Sequence, residues 1–171
     1  MIKIIDYVID DIVKQYQNDV YNKKIDDISQ VVYPSTNKKD KLGEWVRQYF
    51  VKLDSVIQDA VKQSGVKTGV VILGSKHTTS SVYVNHFEPG MLYDVLENYD
   101  KMFPVQKKYR HNEWDFEYKN GAAHLKSIAL GKGSTVFIKN GDLVLGDFEN
   151  IIYAEFDYRP LKSFNIVIMG E

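Results

Sequence analysis

The chain holds four histidines, at positions 77, 86, 111 and 124, and no cysteine. Disulfides, thiolate zinc sites and cysteine nucleophiles are therefore excluded, and acid-base or metal chemistry falls to imidazole and carboxylate groups. Each histidine lies at or near the boundary of an element predicted from local pattern, not inside an apolar stripe. In His77-Thr78-Thr79-Ser80-Ser81 the imidazole is followed by hydroxyls able to bond a ring nitrogen, a backbone group or a ligand oxygen. His124 falls in the first turn of a predicted helix, where the positive dipole end disfavours imidazolium and so favours the neutral ring that metals require. It is the best-placed ligand candidate of the four.

The same helix start offers the backbone N–H groups of Gly121 to Ala123, with Lys126 nearby, as a seat for phosphate or carboxylate. His111 sits on a predicted loop beside Arg110, whose guanidinium can clamp an oxyanion. If the chain stays extended from His77 to His86, alternation sends these two rings to opposite faces, and a bulge would reverse that. Taken singly, such histidines are more often hydrogen-bonded structural residues. Three of them spread over 48 positions follow no local metal-binding spacing of the HExxH kind.

The elements that must position these residues follow from periodicity. Ile5, Val8, Ile9, Ile12, Val13 and Tyr16 recur at helical spacing and predict an amphipathic helix over residues 4–20. Residues 21–41, with Tyr33-Pro34 and Lys38-Lys39-Asp40-Lys41, read as a connector. Residues 1–43 thus form an N-terminal helical extension and connector, and residues 44–171 a single domain. Within it, Trp45 to Val51 predicts a strand, and Val56 to Val61 a short helix closed by Gly65. Thr68 to Leu73 and Ser80 to Asn85 predict strands. Pro89 opens a helix with Met91, Leu92, Val95, Leu96 and Tyr99 as its apolar stripe, and Ala122 to Leu130 forms another that stops at Gly131. Thr135 to Ile138, Leu143 to Leu145, Ile151 to Asp157 and Phe164 to Met169 predict strands, with Asn140-Gly141 as a hairpin turn. Strands and helices mixed without regular βαβ alternation predict an α+β fold with a mainly antiparallel sheet.

Length and composition agree with one core: 171 residues, 44% hydrophobic and 13% aromatic. Lysine plus arginine, 22, nearly balances aspartate plus glutamate, 23, so no global positive field exists to draw nucleic acid. No basic-then-apolar leader and no apolar run of roughly 20 residues is present, which predicts a cytoplasmic protein without a membrane partner.

One ordered series of motifs goes further. Ser64-Gly65-Val66 and Gly69, His77-Thr78-Thr79, Asn85, Tyr109-Arg110-His111, Gly121-Ala122-Ala123-His124-Leu125-Lys126-Ser127, Leu130-Gly131, Gly141-Asp142-Leu143-Val144-Leu145-Gly146 and Glu155-Phe156-Asp157 follow one another along the chain. In that order the series resembles the YjbQ-like family of secondary thiamine-phosphate synthases, over roughly the last three quarters of the sequence. The resemblance implies a compact α+β domain that assembles as a homotrimer. It implies a cleft holding His77, His111 and His124 as catalytic residues and as ligands of a divalent metal such as zinc. Thr78, Thr79, Asn85, Arg110, Lys126 and Ser127 would bind a phosphorylated small molecule. The implied activity is thiamine-phosphate formation from a pyrimidine diphosphate and a thiazole phosphate. The same parts would serve a metal-dependent phosphate-ester hydrolase, and the alternative is a non-catalytic, ligand- or metal-binding trimeric scaffold.

Three departures accompany the resemblance. Asn85-His86 stands where the family pattern has Asn-Glu, Leu145-Gly146-Asp147-Phe148-Glu149 where it has Leu-Gly-x-Trp-Gln, and Tyr158-Arg159-Pro160 where it has Gly-Pro-Arg. The last two changes are expected to remodel the rim of the cleft.

Overall fold

The computed structural model describes residues 1–8, 31–32, 48–114, 118–157 and 162–171. Its elements are β1 (Ile2–Val8), β2 (Val31–Val32), β3 (Tyr49–Lys52), α1 (Asp54–Ser64), β4 (Thr68–Ser75), β5 (Ser80–Asn85), α2 (Pro89–Met102), α3 (Arg110–Trp114), α4 (Gly121–Leu130), β6 (Gly133–Lys139), β7 (Asp142–Val144), β8 (Asn150–Glu155) and β9 (Ser163–Gly170). The strands make two sheets, ordered β1-β9-β4-β6-β7 and β2-β3-β8-β5, and every pairing is antiparallel. With four helices beside them among the described residues, the fold is the α+β class expected.

Side-chain alternation explains the layering. In the four-stranded sheet, Tyr49 and Val51 of β3 and Ile151 and Tyr153 of β8 face the five-stranded sheet, meeting Val71, Leu73, Val136, Ile138, Ile166 and Ile168 there. Their neighbours Phe50, Ile152 and Ala154 point the other way and pack with Leu92 and Leu96 of α2 and Ala123 of α4. That sheet is therefore buried on both faces, and β8 is almost continuously apolar, as the period-two pattern requires. Among the described residues, the five-stranded sheet is covered on one face only. β6 alternates accordingly, burying Val136 and Ile138 and exposing Thr135 and Phe137.

The first strand corrects the helix expected over residues 4–20. Ile2–Val8 pairs residue by residue with Ser163–Met169, and the amino terminus donates to the Gly170 carbonyl at 2.6 Å. Helical spacing of apolar residues cannot exclude a strand when an edge of β9 is available to pair with it. Residues 9–20 lie outside the described part of the chain, as do most of the connector and Trp45 to Arg47. α1, α2 and α4 match their expected positions. Gly65 adopts φ 78° to close α1, the left-handed conformation that glycine adopts freely.

Two local features carry the site. β4 ends at Ser75 and β5 begins at Ser80, so residues 76–79 turn from one sheet to the other instead of extending from His77 to His86. The Ser75 hydroxyl stabilises the turn, accepting from the His77 N–H at 3.1 Å and lying against the Ser80 hydroxyl. α4 is fastened to β5 reciprocally. The Ser127 hydroxyl donates to the Ser80 carbonyl at 2.8 Å, and the Ser81 hydroxyl donates to the Ser127 carbonyl at 3.1 Å.

Candidate active site

The turn, α3 and the start of α4 bring His77, His111 and His124 to one cleft of about 460 Å³, which Thr78, Thr79, Asn120, Asp157 and Lys162 also line. His77 is delivered by the sheet-to-sheet turn, and its Nε2 accepts the Ser163 N–H at 2.9 Å. That bond requires an unprotonated Nε2. His111 lies in the short helix α3, not on a loop, and its ring stands edge-on to that of His124 with centroids 4.7 Å apart. Its Nε2 bonds Asn120 Oδ1 at 3.0 Å, and Asn120 Nδ2 donates to Asp157 Oδ2 at 2.6 Å, so the chain His111–Asn120–Asp157 fixes one wall.

Asn120 precedes α4 but spends its side chain on this wall, and Asn112 of α3 caps the helix, accepting from the Gly121 N–H at 2.8 Å. A Cβ on Gly121 would stand 2.9 Å from both Asn112 Oδ1 and Tyr109 Cβ, which accounts for glycine there. The anion seat expected at Gly121 to Ala123 is thereby occupied. All three residues are buried, and the Ala123 N–H bonds the Asn120 carbonyl at 2.9 Å.

His124 is half-buried, and its pKa lies below the ordinary histidine value. Burial is the main cause, with the His111 ring and the Lys162 ammonium adding to it, while the Thr78 carbonyl and Asp157 oppose. A histidine with a lowered folded-state pKa contributes stability above its unfolded value of about 6.5 and loses it as pH falls through the folded value. A ¹⁵N NMR titration is therefore expected to place the His124 midpoint below 6.5, and His111→Ala should move it upward. An unchanged midpoint in His111→Ala would show that the rings do not interact.

Beneath the histidines lies a polar cluster that pattern reading missed. Lys162, only 5% exposed, donates to Thr79 Oγ1 at 3.0 Å and pairs with Glu155 Oε1 at 3.2 Å. Glu155, fully buried, also accepts from the Thr79 hydroxyl at 2.9 Å, the Tyr153 hydroxyl at 3.0 Å and the Asp157 N–H at 2.9 Å. Burial pushes its carboxyl pKa up, and Lys162 and the hydrogen bonds from Asp157 and Thr79 pull it partly back. One signal was available: an acid within the apolar run Ile151 to Phe156 must have a buried partner. Lys162 itself had no local signature.

The other expected site residues are dispersed. Lys126 is 1% exposed, its Nζ held at 2.5 Å by Asp100 and at 3.0 Å by Gln48, so it ties α4 to α2 and does not line the cleft. Arg110 is exposed at the start of α3 and also outside the lining. Ser127 secures α4, as above. Asn85 and His86 sit at the opposite end of β5 from Ser80, where His86 packs against Phe148 with ring centroids 5.3 Å apart. Phe148 and Glu149 therefore do not form the rim of this cleft. Tyr158 to Pro160 lie outside the described residues.

Among the described residues, no three His, Asp or Glu side chains converge as a metal-binding group. His111 and His124 adjoin, but His77 turns its Nε2 to Ser163. Among the described residues, the three-histidine ligand set does not fit a metal in this arrangement.

A two-sheet α+β domain with a histidine-lined cleft at the crossover between its sheets is the class defined here. A sequence model described as UPF0047 protein YjbQ-like matches residues 30–171. The chain belongs to that family. It is 28% identical over 125 residues to a UPF0047 protein of Methanothermobacter thermautotrophicus, covering 73% of this chain and 85% of the relative. It is 28% identical over 137 residues to the UPF0047 protein YugU of Bacillus subtilis, covering 79% and 94%. A crystal structure of a YbjQ-like protein of unknown function from Sulfolobus solfataricus shares the fold, with TM-score 0.69, 22% identity and full coverage of both chains. A family member from Clostridium acetobutylicum matches with TM-score 0.64 and 29% identity over 81% of this chain and 97% of that one. Among the described residues no helix is long and apolar enough to cross a membrane.

Proposed function

We propose that the protein is a small-molecule enzyme acting on a phosphorylated substrate, of the secondary thiamine-phosphate synthase type. The observation that carries this reading is the buried ammonium on the histidine cleft. An ammonium has three N–H donors; Lys162 places two on Thr79 and Glu155, and among the described residues nothing else accepts from it, which leaves the third for a ligand oxygen. A cation that is already desolvated binds an anion without the full cost of stripping its water, and it stabilises charge that develops on a departing phosphate or pyrophosphate. His124, held neutral beside it, can take a proton from the attacking group or return one to the leaving group.

The same reading includes a homotrimer. Ile2, Ile4, Ile72, Phe137, Val144 and Met169 are exposed together on the face of the five-stranded sheet that no described element covers, aligned by the pairings Ile2↔Met169, Val70↔Met169, Val70↔Phe137 and Phe137↔Val144. An apolar face of that extent suits association with further copies.

Purified protein should sediment as a trimer and release phosphate or pyrophosphate from at least one of a panel of phosphorylated pyrimidines, thiazoles and simple phosphate esters. His124→Ala should abolish the release. A native trimer that binds panel members and converts none would favour the non-catalytic scaffold, and a monomer would remove the assembly.

A further inference from the structure

The histidine cleft is not the whole of the concavity. On the other side of the ridge formed by His77, Thr78 and His124 lies a second lobe of about 410 Å³, walled by Ser75, Lys76, Ser127, Ile128, Gly131 and Lys132. Its chemistry differs from that of the first lobe. The first contains Asp157, Asn120 and the buried Lys162, whereas among the described residues no Asp or Glu lines the second. Its surface, like that of the first lobe, is mostly apolar, but here Ile128 stands 73% exposed although it belongs to a helix with a buried face available. Lys132, which lines this lobe alone, and Lys76, which also lines the histidine lobe, flank it, and both are exposed. Lys76 lies 3.4 Å from Asp6, a loose surface pair of little strength.

We infer that this lobe is a second subsite, taking a planar apolar body that bears an anionic substituent, while the phosphate of the same ligand occupies the histidine lobe. The inference rests on the proposed function for the phosphate end. It adds that the substrate has two parts, joined across the Thr78–His124 ridge. Lys76, His77, Thr78 and His124 line both lobes, so the bond that changes lies where His124 reaches it. The apolar body gains by leaving water against Ile128, and the two lysines select an acidic over a basic substituent.

The test uses 4-carboxybenzylphosphonate, which has no ester to cleave, beside methylphosphonate, which keeps the head group without the ring. Isothermal titration calorimetry of the full chain should find the aromatic phosphonate at least tenfold tighter. Ile128→Asp and Lys132→Glu, both at exposed positions, should each reduce that advantage to under threefold while leaving the methylphosphonate affinity within twofold of native. Equal affinity of the two ligands in the native protein, or an advantage that survives both variants, would overturn the second subsite. Lys162→Met separates the two readings. If it leaves methylphosphonate binding intact while Ile128→Asp still removes the ring's advantage, the phosphate assignment fails and the apolar subsite stands.

Discussion

Lys126→Ala is expected to destabilise the protein by about 3–5 kcal/mol, the range for removing one partner of a buried ion pair. Against a total of about 5–15 kcal/mol for an ordinary domain, that loss moves the urea midpoint far toward zero. Asp100 is 6% exposed and would be left with its carboxylate desolvated, and the Gln48 side-chain carbonyl would lose its donor. The double variant Lys126→Met, Asp100→Leu should recover most of the loss, because apolar residues of similar volume replace a buried pair without an uncompensated charge. Phosphate affinity of the double variant should stay within twofold of native. A loss of phosphate binding there, with the fold intact, would restore Lys126 to the ligand site.

The second large effect belongs to Lys162. Lys162→Met removes the only buried cation of the cleft among the described residues, and phosphate affinity should fall by about 10- to 100-fold. A hydrogen bond to a charged group is worth roughly 1.5–3 kcal/mol, and about 1.4 kcal/mol is a factor of ten. The substitution also leaves Glu155 without its counterion. Its carboxyl pKa, already raised by burial, will rise further, so that it protonates and the fold keeps a neutral acid bonded to Thr79 and Tyr153. The double variant Lys162→Met, Glu155→Gln serves as the control for folding. It should match native stability more closely than the single variant and show the same loss of phosphate affinity. Native-like affinity in either variant would show that Lys162 does not hold the anion.

The contrast between these two lysines shows where the amino-acid pattern was sufficient and where it was not. Lys126 sits in the helix Ala122 to Leu130, the family motif surrounds it, and its cationic group suggested a phosphate ligand. Yet a lone lysine in a helix as apolar as Ala-Ala-His-Leu-Lys-Ser-Ile-Ala-Leu needs a buried counter-charge if the helix is covered on that side, and Asp100, near the end of α2, supplies it. Lys162 is set against the cleft through Thr79, 83 positions away in sequence, which no local window contains. His77, His111 and His124 were legible as a set through the motif series. Their present bonds were not, because Ser163, Asn120 and Thr78 reach them only through the fold.

Strands and helices bounded by strong punctuation, such as Gly65, Pro89, Gly131 and Asn140-Gly141, emerged close to their expected limits. The first strand did not. Its apolar spacing suits a helix, and only the free edge of β9 makes an extended partner of it.

The most direct test of the central claim is a titration of inorganic phosphate into ¹⁵N-histidine-labelled protein, followed at the imidazole nitrogens. The His124 and His111 resonances are expected to shift saturably, in native protein and not in Lys162→Met, while His86 at the far end of β5 stays unmoved. Phosphate that shifts none of the cleft histidines, or shifts them equally after Lys162→Met, would contradict the assignment of this cleft as the site for a phosphorylated substrate.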